Sequence, residues 1–252
     1  MAEYGYPPFS DEVSVADLIV VDYTLLVQGD ADEIEKLWQA ATELGMWYLK
    51  NHGVENEVEG MFGVAEKTLM LPRREKKKYA HWKEEGLFGY NLNKGGRDPE
   101  TKEKLELAEY INIAKDDILS YPTPVYRTYP SPIADNIEAT IRPFVQKSCN
   151  VTDTLLEVFN DKLGLPQGTL AQRHSAQERS SSQVRLTRSF GNPAAGSASL
   201  FQPHNDYGLL AFSYARLGGL LVMGKGWISW KWVKPIPGHA VCIVGETLDT
   251  FT

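Results

Sequence analysis

Gly208-Leu209-Leu210-Ala211-Phe212-Ser213-Tyr214, Gly219-Leu220-Leu221-Val222-Met223 and Ala240-Val241-Cys242-Ile243-Val244 are short apolar runs set apart by glycine and proline. Residues 184–190 and 227–233 share this character. Short β-prone runs between turn signals predict strands, here the pattern of a sandwich or barrel. Upstream the period lengthens. Residues 18–23 predict a first strand, and Asp30 is placed to cap a helix over 31–45. The inward stripe of that helix is Ile34, Leu37, Trp38, Ala41 and Leu44. Residues 46–50 predict a strand, broken by the turn Asn51-His52-Gly53. Val58, Met61, Phe62, Ala65 and Leu69 mark a second helix that stops at Leu71-Pro72. Residues 86–105, rich in Gly, Asn and Lys, read as a long loop of the kind that borders a binding site. A helical stretch over 132–163 turns Ile133, Ile137, Phe144, Leu155, Leu156 and Phe159 inward. Breaks are expected at Pro143 and near Asn150, and a stop at Gly164-Leu165-Pro166. The chain therefore divides into a flexible lead-in (1–15), a helix-rich region (16–165) and a strand-rich region (166–252).

Composition narrows the functional classes. The 252 residues suit one large domain or two small ones. A hydrophobic fraction of 42% and a charged fraction of 23% exclude disorder, collagen and coiled coil for the chain as a whole. No apolar run approaches the length of a transmembrane helix, and Met1-Ala2-Glu3-Tyr4 does not begin a secretory leader. A net charge of −7 disfavours nucleic-acid partners, which need clustered positive charge. The one dense basic run, Arg73-Arg74-Glu75-Lys76-Lys77-Lys78, reads as a solvated helix start beside Glu84 and Glu85. Cys149 and Cys242 form no C-x-x-C pattern. Both are expected as small buried residues of a protein in the reducing cytoplasm.

The chemistry concentrates in Phe201-Gln202-Pro203-His204-Asn205-Asp206-Tyr207-Gly208. If residues 204–206 are extended, His204 and Asp206 project to one side. An imidazole nitrogen and a carboxylate oxygen are two members of the 2-His-1-carboxylate set that binds Fe(II) with positions left open. The competing reading is a loop histidine hydrogen-bonded to a nearby aspartate. His239 lies in the turn Pro235-Ile236-Pro237-Gly238-His239 and is the weaker metal candidate. His81 and His174 read as polar surface residues, and Phe88 and Tyr90 as core in preference to pocket lining.

These marks together resemble the isopenicillin-N-synthase-like family of Fe(II)/2-oxoglutarate-dependent dioxygenases. Leu18-Ile19-Val20-Val21-Asp22 is similar to the family's first strand. Residues 43–54, ending Asn51-His52-Gly53-Val54, resemble its helix–strand–turn signature, in which Asn51 and His52 are marks of folding. His204-Asn205-Asp206-Tyr207-Gly208 resembles its metal motif. Leu217-Gly218-Gly219-Leu220 and residues 227–245 resemble the strands that follow. The resemblance implies a mixed α and β fold: a double-stranded β-helix, a jelly-roll-like barrel flanked by N-terminal helices. It implies Fe(II) held by His204 and Asp206, with 2-oxoglutarate as co-substrate and dioxygen as oxidant. A small organic substrate is then hydroxylated, desaturated or ring-closed. Neither a nucleic acid nor a membrane is expected as partner.

Two departures accompany the resemblance. The sequence reaches Thr252 before the family's second metal-binding His and its co-substrate Arg, so a C-terminally truncated chain with an incomplete barrel is expected. Arg185-Leu186-Thr187-Arg188-Ser189-Phe190 lacks the Tyr that many members use on 2-oxoglutarate. Arg188 could supply charge near the co-substrate, though a structural role is the simpler reading. The alternative function is a catalytically inactive, dioxygenase-like binding or interaction protein.

Overall fold

The structure, a computed structural model, describes residues 9–80, 87–95, 102, 104–190, 203–224 and 226–251. Readings placed on residues 1–8, His81, Glu84, Glu85, Phe201 and Gln202 lie outside the described residues. The chain forms two compact units that are each discontinuous in sequence: residues 1–55, 150–175 and 205–252 make one, and residues 56–149 and 176–204 the other. These units cut across the boundary expected at residue 165.

The first unit is built on a four-stranded sheet in the order β1-β2-β9-β6. Strand β2 (Met46–Lys50) pairs parallel with β1 (Val20–Asp22) and antiparallel with β9 (His239–Val244). β9 also pairs with β6 (Leu210–Ser213). Side chains alternate across this sheet. Met46, Tyr48 and Val241 join Ala16, Leu18, Val222 and Val233 in one apolar cluster. On β2 the intervening Trp47 packs edge-on to Phe159, with ring centroids 6.2 Å apart. Val222 comes from a small hairpin, β7 (Leu221–Val222) with β8 (Lys231–Trp232). The backbone ahead of β1 runs beside that hairpin: Trp232 N–H donates to Ser14, and Ala16 N–H donates to Trp232, each at 2.8 Å.

Helix α1 (Tyr23–Val27) follows β1, and α2 (Ala31–Glu43) starts as the sequence indicates. Asp30 accepts from the Glu33 amide at 2.9 Å, satisfying an amide the helix itself leaves open. The buried stripe of α2 is Glu33, Leu37 and Ala40, while Ile34, Trp38, Ala41 and Leu44 are half-buried. Glu33 is tolerated inside because its carboxylate accepts from the Asp22 amide and pairs with Lys36.

The second unit carries the sheet β3-β4-β5. Here one expectation fails. Much of the region read as a loop is strand: β3 (Gly89–Gly95) pairs antiparallel with β4 (Leu105–Ala114), which pairs with β5 (Gln183–Ser189). Glycine and asparagine weaken strand propensity, but ladder bonds to β4 override it. Gly89 is needed at its place, because its φ is +110° and a Cβ would strike the Arg127 guanidinium and the Tyr79 carbonyl. Helices α3 (Glu55–Leu69), α4 (Arg73–Lys77), α5 (Lys115–Leu119) and α6 (Ser131–Ala134) come in chain order. On α3 the buried positions are Val58, Met61, Val64, Thr68 and Leu69, with Phe62 and Ala65 half-buried.

The long helix α7 (Arg142–Lys162) is preceded by a π-helical turn over Ile137–Ile141. Pro143 does not break it; the π-helical turn directly before α7 leads the chain into the helix at that point. Nor does it break near Asn150; the helix runs through. Its end matches the glycine stop: Gly164 has φ +65°, its N–H bonds Asp161, and the Leu165 N–H bonds Asn160, the paired bonds of a Schellman ending. All six positions expected to face inward here, from Ile133 to Phe159, are buried. Short helices α8 (Thr169–Arg173) and α9 (Glu246–Phe251) complete the described elements. No described helix is long and apolar enough to cross a membrane.

Candidate metal centre

Strand β9 ends at Val244, and the Gly245-Glu246 junction that opens α9 fixes the backbone of Asp206. The Glu246 amide donates to the Asp206 carbonyl at 2.7 Å, and the Gly245 amide donates to Leu209 at 2.9 Å. The Thr247 hydroxyl donates to the Tyr207 carbonyl at 2.5 Å. Contact is so close that a Cβ on Gly245 would sit 2.0 Å from the Gly208 oxygen and 3.0 Å from that of Asp206. A loop with no helix or strand is thus held by three hydrogen bonds and a glycine. Asp206 is half-buried within it.

His204 is exposed, and residues 203–206 belong to no strand, since β6 begins only at Leu210. Same-side projection of His204 and Asp206 thus has no ladder to enforce it. Among the described residues no group of three His, Cys, Asp or Glu could hold a metal. The donor chemistry of His204 and Asp206 nonetheless suits Fe(II), which takes imidazole nitrogen and carboxylate oxygen together.

Three other histidines lie among the described residues. His239 opens β9, its Nδ1–H donating to the Pro237 carbonyl at 2.9 Å. His174 is half-buried and its Nδ1 lies 3.2 Å from Asp153. His52 is the most constrained. It is buried, and its Nδ1 accepts from the Val54 amide at 3.2 Å, which assigns the proton to Nε2. Its ring meets Tyr214 at 5.7 Å, and Nε2 finds no hydrogen-bond partner. Asn51 before it takes φ +56° and donates to the Asp22 carboxylate at 2.8 Å. Asn tolerates that left-handed backbone better than most residues.

Burial holds the His52 pKa below its ordinary 6.5, with nearby Glu55 pulling it up and His239 pushing it down. The unfolded chain therefore takes this proton first. Its contribution to stability is complete above pH 6.5 and is lost as pH falls through the folded pKa. One proton gives a slope of at most about 1.4 kcal/mol per pH unit. Urea midpoints measured from pH 7.5 to 5.5 should fall for the wild type and stay flatter for His52→Gln. Parallel curves would remove His52 as the source.

The second unit carries a buried charge network that the sequence reading did not find. Glu109 on β4 accepts from Lys76 Nζ at 2.6 Å and from the Tyr90 hydroxyl at 2.8 Å. Its other oxygen lies 3.5 Å from Arg188 Nη1. Burial and the Glu109 charge push the Tyr90 phenol well up. Lys76, in the run read as solvated, is buried because Glu109 and the Leu69 carbonyl give its ammonium partners. Arg188 takes the structural role. Phe88 and Tyr90 are buried core residues. Cys242 is buried as expected; Cys149 is only half-buried.

Comparison with known proteins identifies the architecture. Residues 18–132 match the family model for the N-terminal region of the non-haem dioxygenase in morphine synthesis. A 2-oxoglutarate-dependent dioxygenase of Aspergillus fumigatus is 24% identical, covering 100% of this chain and 71% of that protein. Among solved structures, JOX2 in complex with 2OG, Fe and JA superposes with a TM-score of 0.71 at 18% identity, over 98% of this chain and 72% of that one. The dioxygenase for auxin oxidation 1 of Arabidopsis thaliana, with 2-oxoglutarate, gives 0.66 at 16% identity, over 92% and 80%. The structural likenesses establish the fold, that of the 2-oxoglutarate oxygenases with their double-stranded β-helix. Taken with the matched N-terminal region and the curated relatives, they make the chain similar to the Fe(II)/2-oxoglutarate-dependent dioxygenases along its whole length.

Proposed function

We propose that this protein is an oxidoreductase that couples 2-oxoglutarate and dioxygen to the hydroxylation, desaturation or ring closure of a small organic substrate. The observation that carries the reading is the His204-x-Asp206 pair beside a backbone anchored by Gly245 and Glu246, in a chain similar to this family. His204 would offer an imidazole nitrogen to Fe(II), and Asp206 a carboxylate oxygen. Bound there, the metal supplies dioxygen activation coupled to decarboxylation of the co-substrate. The chain's own part is to hold the Asp206 backbone, so that the carboxylate arrives already positioned and loses little entropy on binding. Two cysteines that form no C-x-x-C pattern support a cytoplasmic setting. The net charge of −7 supports small molecules over nucleic acid as partners.

The test is anaerobic Fe(II) titration by equilibrium dialysis. His204→Ala and Asp206→Ala should each weaken binding by more than about tenfold, the loss that even neighbours of a ligand can produce. Affinity unchanged in both variants would overturn the assignment. Succinate release from 2-oxoglutarate on adding substrate would carry the reading from binding to catalysis.

A further inference from the structure

Strand β5 carries two arginines three positions apart, which places them on opposite faces of the second unit's sheet. Their cross-strand partners on β4 differ. Arg188 stands opposite Glu109 and has that carboxylate 3.5 Å away. Arg185 stands opposite Asn112, an amide. Its Nε donates to Asn112 Oδ1 at 2.9 Å, and its guanidinium carbon lies 4.6 Å from the centre of the Tyr110 ring. Asn112 is itself buried and fixed, since its Nδ2 donates to the Leu87 carbonyl at 2.7 Å. That bond sets the amide so that Oδ1 faces the arginine.

Arg185 is thus a cation with a fixed plane. Its inner nitrogen is engaged and one face is covered by an aromatic ring. Among the described residues no carboxylate lies within ion-pair distance of it. Its side chain is exposed, as are Thr187 and Ser189 on the same face of the strand. The outer Nη1/Nη2 edge is left to donate. Two parallel N–H groups on a rigid guanidinium match the two oxygens of a carboxylate. Stacking on Tyr110 limits the rotamer entropy that binding would otherwise cost. A surface arginine kept only for solubility needs neither an oriented amide nor a ring beneath it.

We propose that Arg185 is a docking residue for the carboxylate of a small organic acid, with Thr187 and Ser189 as neighbouring hydroxyls. The proposal rests on the dioxygenase reading only in making that acid a participant in the reaction. The carboxylate could belong to the organic substrate or to 2-oxoglutarate, and binding to the iron-free full chain separates the two. Benzoate, its neutral isostere benzamide, and 2-oxoglutarate serve as probes, with affinities read by calorimetry or ligand-observed NMR. The wild type should bind benzoate about tenfold or more tightly than benzamide, the worth of one charge-assisted contact. Arg185→Met should bring benzoate down to the level of benzamide. Arg185→Lys, which keeps the charge and loses the fork, should fall between them. An unchanged 2-oxoglutarate affinity in Arg185→Met assigns the docked carboxylate to the organic substrate. A parallel loss assigns it to the co-substrate. Wild-type binding that does not distinguish benzoate from benzamide overturns the proposal, as does full benzoate affinity in Arg185→Met at an unchanged melting temperature. Fe(II) binding through His204 and Asp206 is a separate measurement, so failure of one leaves the other standing.

Discussion

Glu109→Ala should destabilise the protein by about 3–5 kcal/mol, the cost of breaking a buried ion pair by removing one partner. Glu109 is 2% exposed and Lys76 is 5% exposed. Without the carboxylate, the Lys76 ammonium is left with the Leu69 carbonyl and the face of the Tyr90 ring 5.5 Å away, neither of them a counter-charge, and the Tyr90 hydroxyl loses its acceptor. A buried charge so stranded costs far more than the pair contributes when intact. The companion variant makes this argument testable. Lys76→Met combined with Glu109→Leu removes both charges and refills the space. It should therefore be more stable than Glu109→Ala alone, despite carrying one more substitution. Glu109→Gln should lie between wild type and alanine, because it can still accept one hydrogen bond. Chemical denaturation of the four proteins gives the ranking. A loss below about 1 kcal/mol for Glu109→Ala would mean that water reaches Lys76 and that the pair behaves as a surface one.

That network also shows where sequence reading stops. Strand β2 was legible to the residue, since Met46–Lys50 is β-prone and bounded by Gly45 and the Asn51-His52-Gly53 turn. The burial of Ile133, Ile137, Leu155 and Phe159 followed from helical period alone. Lys76 did not, because its burial depends on a carboxylate 33 positions away. A run of basic residues gives no hint of which one has found a partner. Strand β3 was hidden for a related reason: its glycines and asparagines look like a loop until β4 supplies the ladder. The proposed donor pair was visible as His204-x-Asp206, but the packing behind it was not. That packing is the closeness of Gly245 to Asp206 and Gly208, across the turn between β9 and α9. A glycine there could equally have been an ordinary strand end.

Replacing that glycine should disable the proposed site without touching either proposed ligand. Gly245→Ala places a methyl group 2.0 Å from the Gly208 oxygen and 2.7 Å from its carbonyl carbon. Both are backbone atoms, so no side chain can swing aside. Either the segment 206–208 moves out or β9 shifts against β2 and β6, its neighbours in the ladder. The first route is the cheaper, because residues 206–208 form no strand, whereas moving β9 disrupts two ladders. Overpacking of this kind costs about 1–3 kcal/mol, occasionally more. The displaced Asp206 would also lose the Glu246 amide at its carbonyl. Fe(II) affinity should consequently drop by about tenfold or more with His204 and Asp206 both present, as it does when the groups orienting a ligand are removed. Thr247→Val supplies a milder version, deleting only the hydroxyl bond to Tyr207. Its effect on stability should be about 1 kcal/mol, and its effect on iron smaller than that of Gly245→Ala. If Gly245→Ala folds with native stability and binds iron as the wild type does, the loop does not depend on this contact. The anchoring of Asp206 would then have to come from elsewhere.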